Sequence, residues 1–329
     1  MKILITGGTG FIGSRLALKC LHEGHSVRTL ALQRNGPEEA NAREIAAAGG
    51  DVIEGSVTDA QTVEHACRDI DLVYHLAAAQ HETNVPPRHY HDVNVTGTRN
   101  VLQAALNNGV RRVVHASTIG VYGNSPRAPV DDAAPLEPDN VYGVTKLEGE
   151  RIAHEYAAQL PVVVVRVSET YGPGDRRLLK LFKALKRRRF VHIGSERNVH
   201  HPIYIDDLIA ALQCAAVHPE AAGATFVLAG PRPLTTQDMI DAICRVVGAK
   251  PPRLRVPLGP LQVTASVMEK VLPPLRIQPP LHRRRLDFFI KNFQFDGHAA
   301  RAILGYLPTT DFCEGVRRTA EWYQLMHWM

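Results

Sequence analysis

The chain has 329 residues, 45% of them apolar and 22% charged, a balance that permits an ordinary buried core and about two lobes. Lys and Arg outnumber Asp and Glu by 38 to 33, and a net charge of +5 is too small and too dispersed to argue for a nucleic-acid partner. No apolar run reaches the roughly 20 residues of a membrane span. The opening M-K-I-L-I-T-G-G lacks the form of a signal peptide, and the five scattered cysteines make no C-x-x-C pair, so a reducing cytoplasm is the expected setting.

Strands and helices alternate through the first two-thirds. Ile3, Leu4 and Ile5 predict a buried strand over 2–6, followed by a helix over 14–23 that stops at Gly24. Further strands are expected over 26–32, 52–54, 72–76, 112–116 and 162–167, and helices over 93–107 and 142–158. This alternation predicts an α/β fold with a doubly wound parallel sheet. Continuous apolar strands fit a sheet covered on both faces. The character changes after Val167. Helices are expected over 175–189, 206–217, 236–247, 299–304 and 313–325, and a strand over 225–228, while 251–285 resists assignment. The chain thus divides into a dinucleotide-binding domain, 1–167, to which 200–230 return, and a substrate lobe of 168–199 and 231–329.

Gly7, Gly10 and Gly13 stand at three-residue spacing in T-G-G-T-G-F-I-G, between the first strand and the first helix. A chain that turns tightly and brings backbone N–H groups to a pyrophosphate at a helix N-terminus needs glycine there. A side chain at Gly7 or Gly10 would hold the phosphate off, and Gly13 lets helix and strand pack closely. An NAD site usually ends its second strand on an acid. Here Ala31 is followed by Leu32, Gln33 and Arg34. Arg28 and Arg34 are candidates for a 2′-phosphate, so NAD and NADP both stay open.

Tyr142 and Lys146 are four apart at the start of a helix, which puts both on one face. A nearby ammonium favours the phenolate, and a phenol so tuned exchanges protons at working pH. Ser117 and Thr118 end the fifth strand, where the ligands of parallel sheets gather.

Together these residues resemble the extended short-chain dehydrogenase/reductase superfamily, in its NAD-dependent epimerase/dehydratase branch. The likeness runs through D-L-V-Y-H-L-A-A-A at 71–79, N-V-T-G-T-R-N at 94–100, S-T-I-G-V-Y-G at 117–123, Y-G-V-T-K at 142–146, Y-G-P-G-D at 171–175, Y-I-D-D-L at 204–208 and L-G-Y-L-P at 304–308. It implies a Rossmann-type sheet with a smaller C-terminal α/β substrate lobe. Tyr142 would be the acid/base, Lys146 its partner and ribose anchor, and Thr118 the catalytic hydroxyl, with Ser117 beside it. Gly7, Gly10, Phe11, Ile12 and Gly13 would line the pyrophosphate, Ala77 and Ala78 the nicotinamide side, and Asn94 the cofactor edge. The implied cofactor is NAD or NADP, no metal is required, and the helices over 93–107 and 142–158 imply a homodimer.

Departures from the pattern narrow the chemistry. Ile119 and Gly120 stand where the family's dehydratases carry an acidic pair, which favours epimerisation or carbonyl reduction over elimination. Glu169 and His200 replace an Asn and an Arg that contact the substrate diphosphate in sugar-nucleotide enzymes. With Ala79, Thr118 and Arg285 they form the candidate substrate set. The expected reaction is hydride exchange at a secondary alcohol or ketone of a nucleotide-diphosphate sugar. Two alternatives remain: reduction of an apolar ketone in the manner of 3β-hydroxysteroid dehydrogenases, suggested by the apolar stretch 256–272, and a non-catalytic NAD(P)-binding sensor. The basic stretches 176–189 and 282–285 are either solvated or attract an anion, a phosphate or, for 282–285, an anionic lipid surface.

Overall fold

In the computed structural model, which describes residues 1–80, 85–124, 129–271 and 286–329, the first strand takes the middle of the sheet. β1 (Lys2–Thr6) lies between β2 (Ser26–Ala31) and β4 (Leu72–His75); β3 (Asp51–Glu54) closes one edge. Beyond β4 come β5 (Arg112–Thr118), β6 (Val162–Val167) and finally the strand Thr225–Leu228, which pairs with β6. All six pairings are parallel.

The sheet has an apolar layer on each face. Ile3 and Ile5 of β1 and Val163 and Val165 of β6 enter one layer, while Leu4, Val162 and Val164 enter the other. That double burial is why the strands read as unbroken apolar runs. The first layer is covered by α1 (Phe11–His22), α2 (Gly36–Ala47) and the helix Ile205–Val217, while the helices Thr236–Val247 and Phe312–Leu325 pack on each other and extend the same apolar cluster away from the strands. The second is covered by α3 (Ala60–Ala66), α4 (Pro87–His91), α5 (Gly97–Asn107) and α6 (Val141–Tyr156).

Three differences from the sequence reading have local causes. The helix expected over 93–107 is a π turn, Asp92–Thr96, running into α5. α2 and α3 carry little apolar periodicity and are marked by their caps instead. The Asn35 side chain accepts the Glu38 N–H at 3.1 Å, and Asp59 accepts the Gln61 N–H at 3.0 Å. The unassigned stretch contains a strand, Arg255–Val256, paired with His192–Ile193, and the helix Leu258–Val271.

Backbone bonds tie the C-terminal part to the loop before α6. Val130 donates to Gln294 O at 2.7 Å, and Asp296 donates to Val130 O at 2.8 Å. Deeper in, the Arg166 guanidinium of β6 donates to the Glu150 carboxylate of α6 at 2.9–3.2 Å, to the Tyr122 hydroxyl at 2.7 Å and to Asp132 O at 3.0 Å. Both charged side chains are almost fully buried. Losing one partner strands the other charge in low dielectric. Arg166→Met should therefore destabilise the fold by about 3–5 kcal/mol, read as a fall in the urea midpoint.

Candidate active site

The order of the sheet reverses between β1 and β4, which makes a crevice beyond their carboxyl ends. Gly7 leaves β1 at a φ of +69°, and a Cβ there would lie 2.9 Å from the backbone of Ala77, just past β4. Glycine at this position is thus required by the conformation and by the backbone of Ala77. A Cβ on Gly13 would come within 2.3 Å of Gly7 O, so this glycine does set the close approach of α1. Gly10 caps α1, and among the described residues no side chain caps its first-turn N–H groups. An uncapped, positively polarised helix end faces the crevice, flanked by half-buried Phe11 and Ile12. The turn of Y-G-P-G-D reaches the same place: a Cβ on Gly174 would be 3.3 Å from the Phe11 ring.

α6 is brought to the crevice by two glycines that sequence reasoning did not single out. A Cβ on Gly143 would be 2.6 Å from Gly120 O, and one on Gly149 would be 2.8 Å from Asn94 O. The helix starts at Asn140, whose side chain accepts the Gly143 N–H at 3.0 Å. Tyr142 and Lys146 then share one face, one turn apart. Tyr142 is half-buried against the second apolar layer. Lys146 is 1% exposed, and its ammonium has no hydrogen-bond partner among the described residues. Burial pushes it down to about 8, with Glu150 opposing.

Ser117 and Thr118 end β5 beside the start of α6. The Thr118 hydroxyl accepts the Gly120 N–H at 3.1 Å, a bond that does not use its own proton. The Ser117 hydroxyl is buried with no hydrogen-bond partner among the described residues. An orphaned hydroxyl, an uncapped helix end and an unpartnered ammonium fit a dinucleotide that brings phosphate and sugar oxygens. Ala77 and Ala78 are half-buried at the end of β4, between the glycine turn and the π turn.

Other expectations are corrected. Asn94 does not reach outward: it accepts the Ala79 N–H at 2.8 Å and donates to Ala79 O at 3.2 Å and Thr145 Oγ1 at 3.0 Å. It pins the strand end to α6 rather than offering its amide to a cofactor. Ala79, expected at the substrate, is fully buried by the same contacts. Arg28 is spent on Asp51 at 2.7 Å and on the carbonyls of Ala66 and Arg68, both at 3.0 Å, so it cannot serve a 2′-phosphate. Arg34 is exposed just past β2. Arg285, and the run 282–285 with it, lies outside the described residues.

Glu169 and His200, expected as separate substrate contacts, form a pair. The His200 Nδ1 lies 2.9 Å from both Glu169 oxygens, and its Nε2 lies 3.0 Å from Phe288 O, with the Phe288 ring 4.4 Å from the imidazole. Burial pulls His200 down, but the carboxylate outweighs it and holds the imidazole above its ordinary value. Burial likewise opposes ionisation of Glu169, and the imidazolium holds it below the usual carboxylate range.

Beneath α6 runs a further set of buried groups that the sequence did not mark. The Thr6 hydroxyl meets His75 Nδ1 at 2.7 Å, His75 Nε2 meets the Thr98 hydroxyl at 3.0 Å, and Thr98 donates to Asn94 O at 2.7 Å. Burial pushes His75 down to about 3, and it pushes its neighbour His115 well below the ordinary value, so both rings are neutral.

Lys146 carries a stability cost with a definite sign. Its pKa is 10.5 when solvated and about 8 in the fold. Below pH 8 both states hold the proton and the cost is full; between 8 and 10.5 the unfolded chain binds the extra proton, so stability rises with pH. Lys146→Met should be more stable than the parent near neutrality, by up to about 3 kcal/mol. Urea titrations should show that advantage closing as pH approaches 10.5.

Comparison with known proteins places this geometry. The model of the NAD dependent epimerase/dehydratase family matches residues 3–229. The 2-alkyl-3-oxoalkanoate reductase of Stenotrophomonas maltophilia is 30% identical, over 97% of this chain and 98% of its own. The UDP-glucose 4-epimerase of Mycolicibacterium smegmatis is 27% identical, over 98% of this chain and 99% of its own. Among solved structures, the UDP-glucuronic acid 4-epimerase of Bacillus cereus in complex with NAD superposes with a TM-score of 0.79 at 24% identity, covering 99% of this chain and all of that one. The chain has a Rossmann-type fold and is an enzyme of the extended short-chain dehydrogenase/reductase type, and it belongs to the NAD dependent epimerase/dehydratase family.

Proposed function

We propose that the protein exchanges hydride between NAD(P) and a carbon bearing a secondary alcohol or ketone, with Tyr142 as the acid/base. The observation that carries this reading is Lys146: a buried ammonium with no hydrogen-bond partner among the described residues, one helical turn from a phenol. Such a charge lowers the cost of the phenolate and orients the sugar hydroxyls of a nucleotide. The cofactor, when bound, supplies the hydride acceptor or donor. Gly7, Gly10, Phe11, Ile12 and Gly13 would take its pyrophosphate, Ala77 and Ala78 its ring side, and Ser117 a polar edge. Thr118, whose proton is unspent, donates to the reacting oxygen while Tyr142 gives or takes its proton. Ile119 and Gly120 bring no carboxylate beside Thr118, so proton exchange at oxygen is the chemistry these residues support.

The substrate in this reading is a nucleotide-diphosphate sugar, supported by relatives named as UDP-glucose 4-epimerase and dTDP-glucose 4,6-dehydratase. The substrate lobe is formed by 168–199 and 231–329, and the working form is a homodimer. A second reading, reduction of a ketone in an apolar molecule, is favoured by one feature. The cation at His200 is neutralised by Glu169, which is poor provision for a diphosphate. The reductase of 3-oxoalkanoates at 30% identity points the same way.

Tyr142→Phe should lower kcat by about 10² or more with cofactor affinity retained. Near-normal turnover would defeat the assignment. Assaying the parent with UDP-sugars and with long-chain 3-oxo compounds separates the two substrates: interconversion without net cofactor change supports the first, and cofactor oxidation by the apolar ketone supports the second.

A further inference from the structure

The structure assigns a docking face for an anionic lipid surface to the side of the protein built by the helix Leu258–Val271 and the strand before it. Val263, Val267 and Val271 are spaced by four and form one stripe, exposed at 65%, 53% and 53%. Ala265 turns inward and is fully buried. β-branched residues are poor helix formers, and a water-facing helix gains nothing from a row of them. An open groove of about 580 Å³ runs along the stripe, lined by Val263 and Val267 on one side and by Leu286 and Ile290 on the other. Leu254, 64% exposed, adds a further apolar side chain just before the helix.

The charge around this face is predominantly positive, and the acid that lines the groove, Asp287, lies 3.4 Å from Lys291. Arg255–Val256 pairs in parallel with His192–Ile193, so the residues preceding each strand arrive at the same end. Those residues are Lys186, Arg187, Arg188 and Arg189 on one side and Lys250 and Arg253 on the other, all exposed. Among the described residues none of these six, nor Arg255, has an ion-pair partner. Glu196, the nearby acid, is buried against His192. Two residues, Val256 and Pro257, separate Arg255 from the helix start at Leu258, a reach of about 10 Å. Unpaired cations beside an exposed apolar stripe are complementary to a bilayer whose headgroups are anionic and whose acyl boundary is near. The groove accepts an apolar side of that surface. The inference does not depend on which substrate the hydride chemistry takes.

The test is co-flotation of the whole protein with vesicles of phosphatidylcholine alone or mixed with phosphatidylglycerol. The expected result is binding to the mixed vesicles, weakened as salt rises from about 0.05 to about 0.5 M. Arg187→Gln and Arg189→Gln should each weaken it about fivefold, and Val263→Asp with Val267→Asp should abolish it. All four side chains are exposed, so unchanged thermal melts check that the fold is retained. Equal binding to neutral vesicles, or none to either, overturns the proposal. Loss of a dimer in the valine variants without vesicle binding also overturns it and gives the face to a second copy of the chain.

Discussion

The burial of the Lys146 ammonium is the constraint around which the site is organised. A charge taken from water without a compensating hydrogen bond is tolerated only where the surrounding structure is rigid. The rigidity is supplied by close backbone approach. α6 is pressed against the turn after β5 at Gly143 and against the π turn at Gly149, and Asn94 stitches the end of β4 to α6 through Thr145. The Arg166–Glu150 pair holds the following turn of the same helix to β6. A stability cost is thereby carried at the place where chemistry needs a mobile proton, a trade commonly met at functional sites.

How much of this was legible in the sequence depended on the range of the interaction. The strands were legible because both sheet faces are buried and the apolar runs are continuous. The glycine turn and the Tyr142–Lys146 spacing are local patterns, and they stand where the sequence placed them. Gly143, Gly149 and His75 escaped notice because their meaning lies in partners distant along the chain, as when Thr6 meets His75. α2 escaped because its helix is announced by a cap and a proline rather than by a stripe. Asn94 was visible as a residue, but no spacing reveals that Ala79 and Thr145 consume its amide.

The same blindness applies to charge. Arg28 and the pair Glu169–His200 looked, in sequence, like groups offered to a ligand. In the fold Arg28 closes the gap between β2, β3 and the end of α3, and His200 is neutralised by the Glu169 carboxylate. A charged residue next to a functional motif is equally well explained by its need for a counter-charge once the chain has folded. Conversely, nothing in the sequence relates the basic segment 186–189 to the segment 250–255. The pairing of Arg255 with His192 is what makes them neighbours.

The row Thr6, His75, Thr98 and Asn94 has one further consequence. Because Thr98 gives its proton to the Asn94 carbonyl, it must receive one from His75 Nε2, and His75 Nδ1 must in turn receive one from Thr6. Every donor points the same way, and the ring is locked in a single neutral tautomer. The layer under α6 therefore has a direction without a charge: a permanent dipole laid through the domain interior that stays the same whatever the acidity of the solvent across the range in which enzymes work.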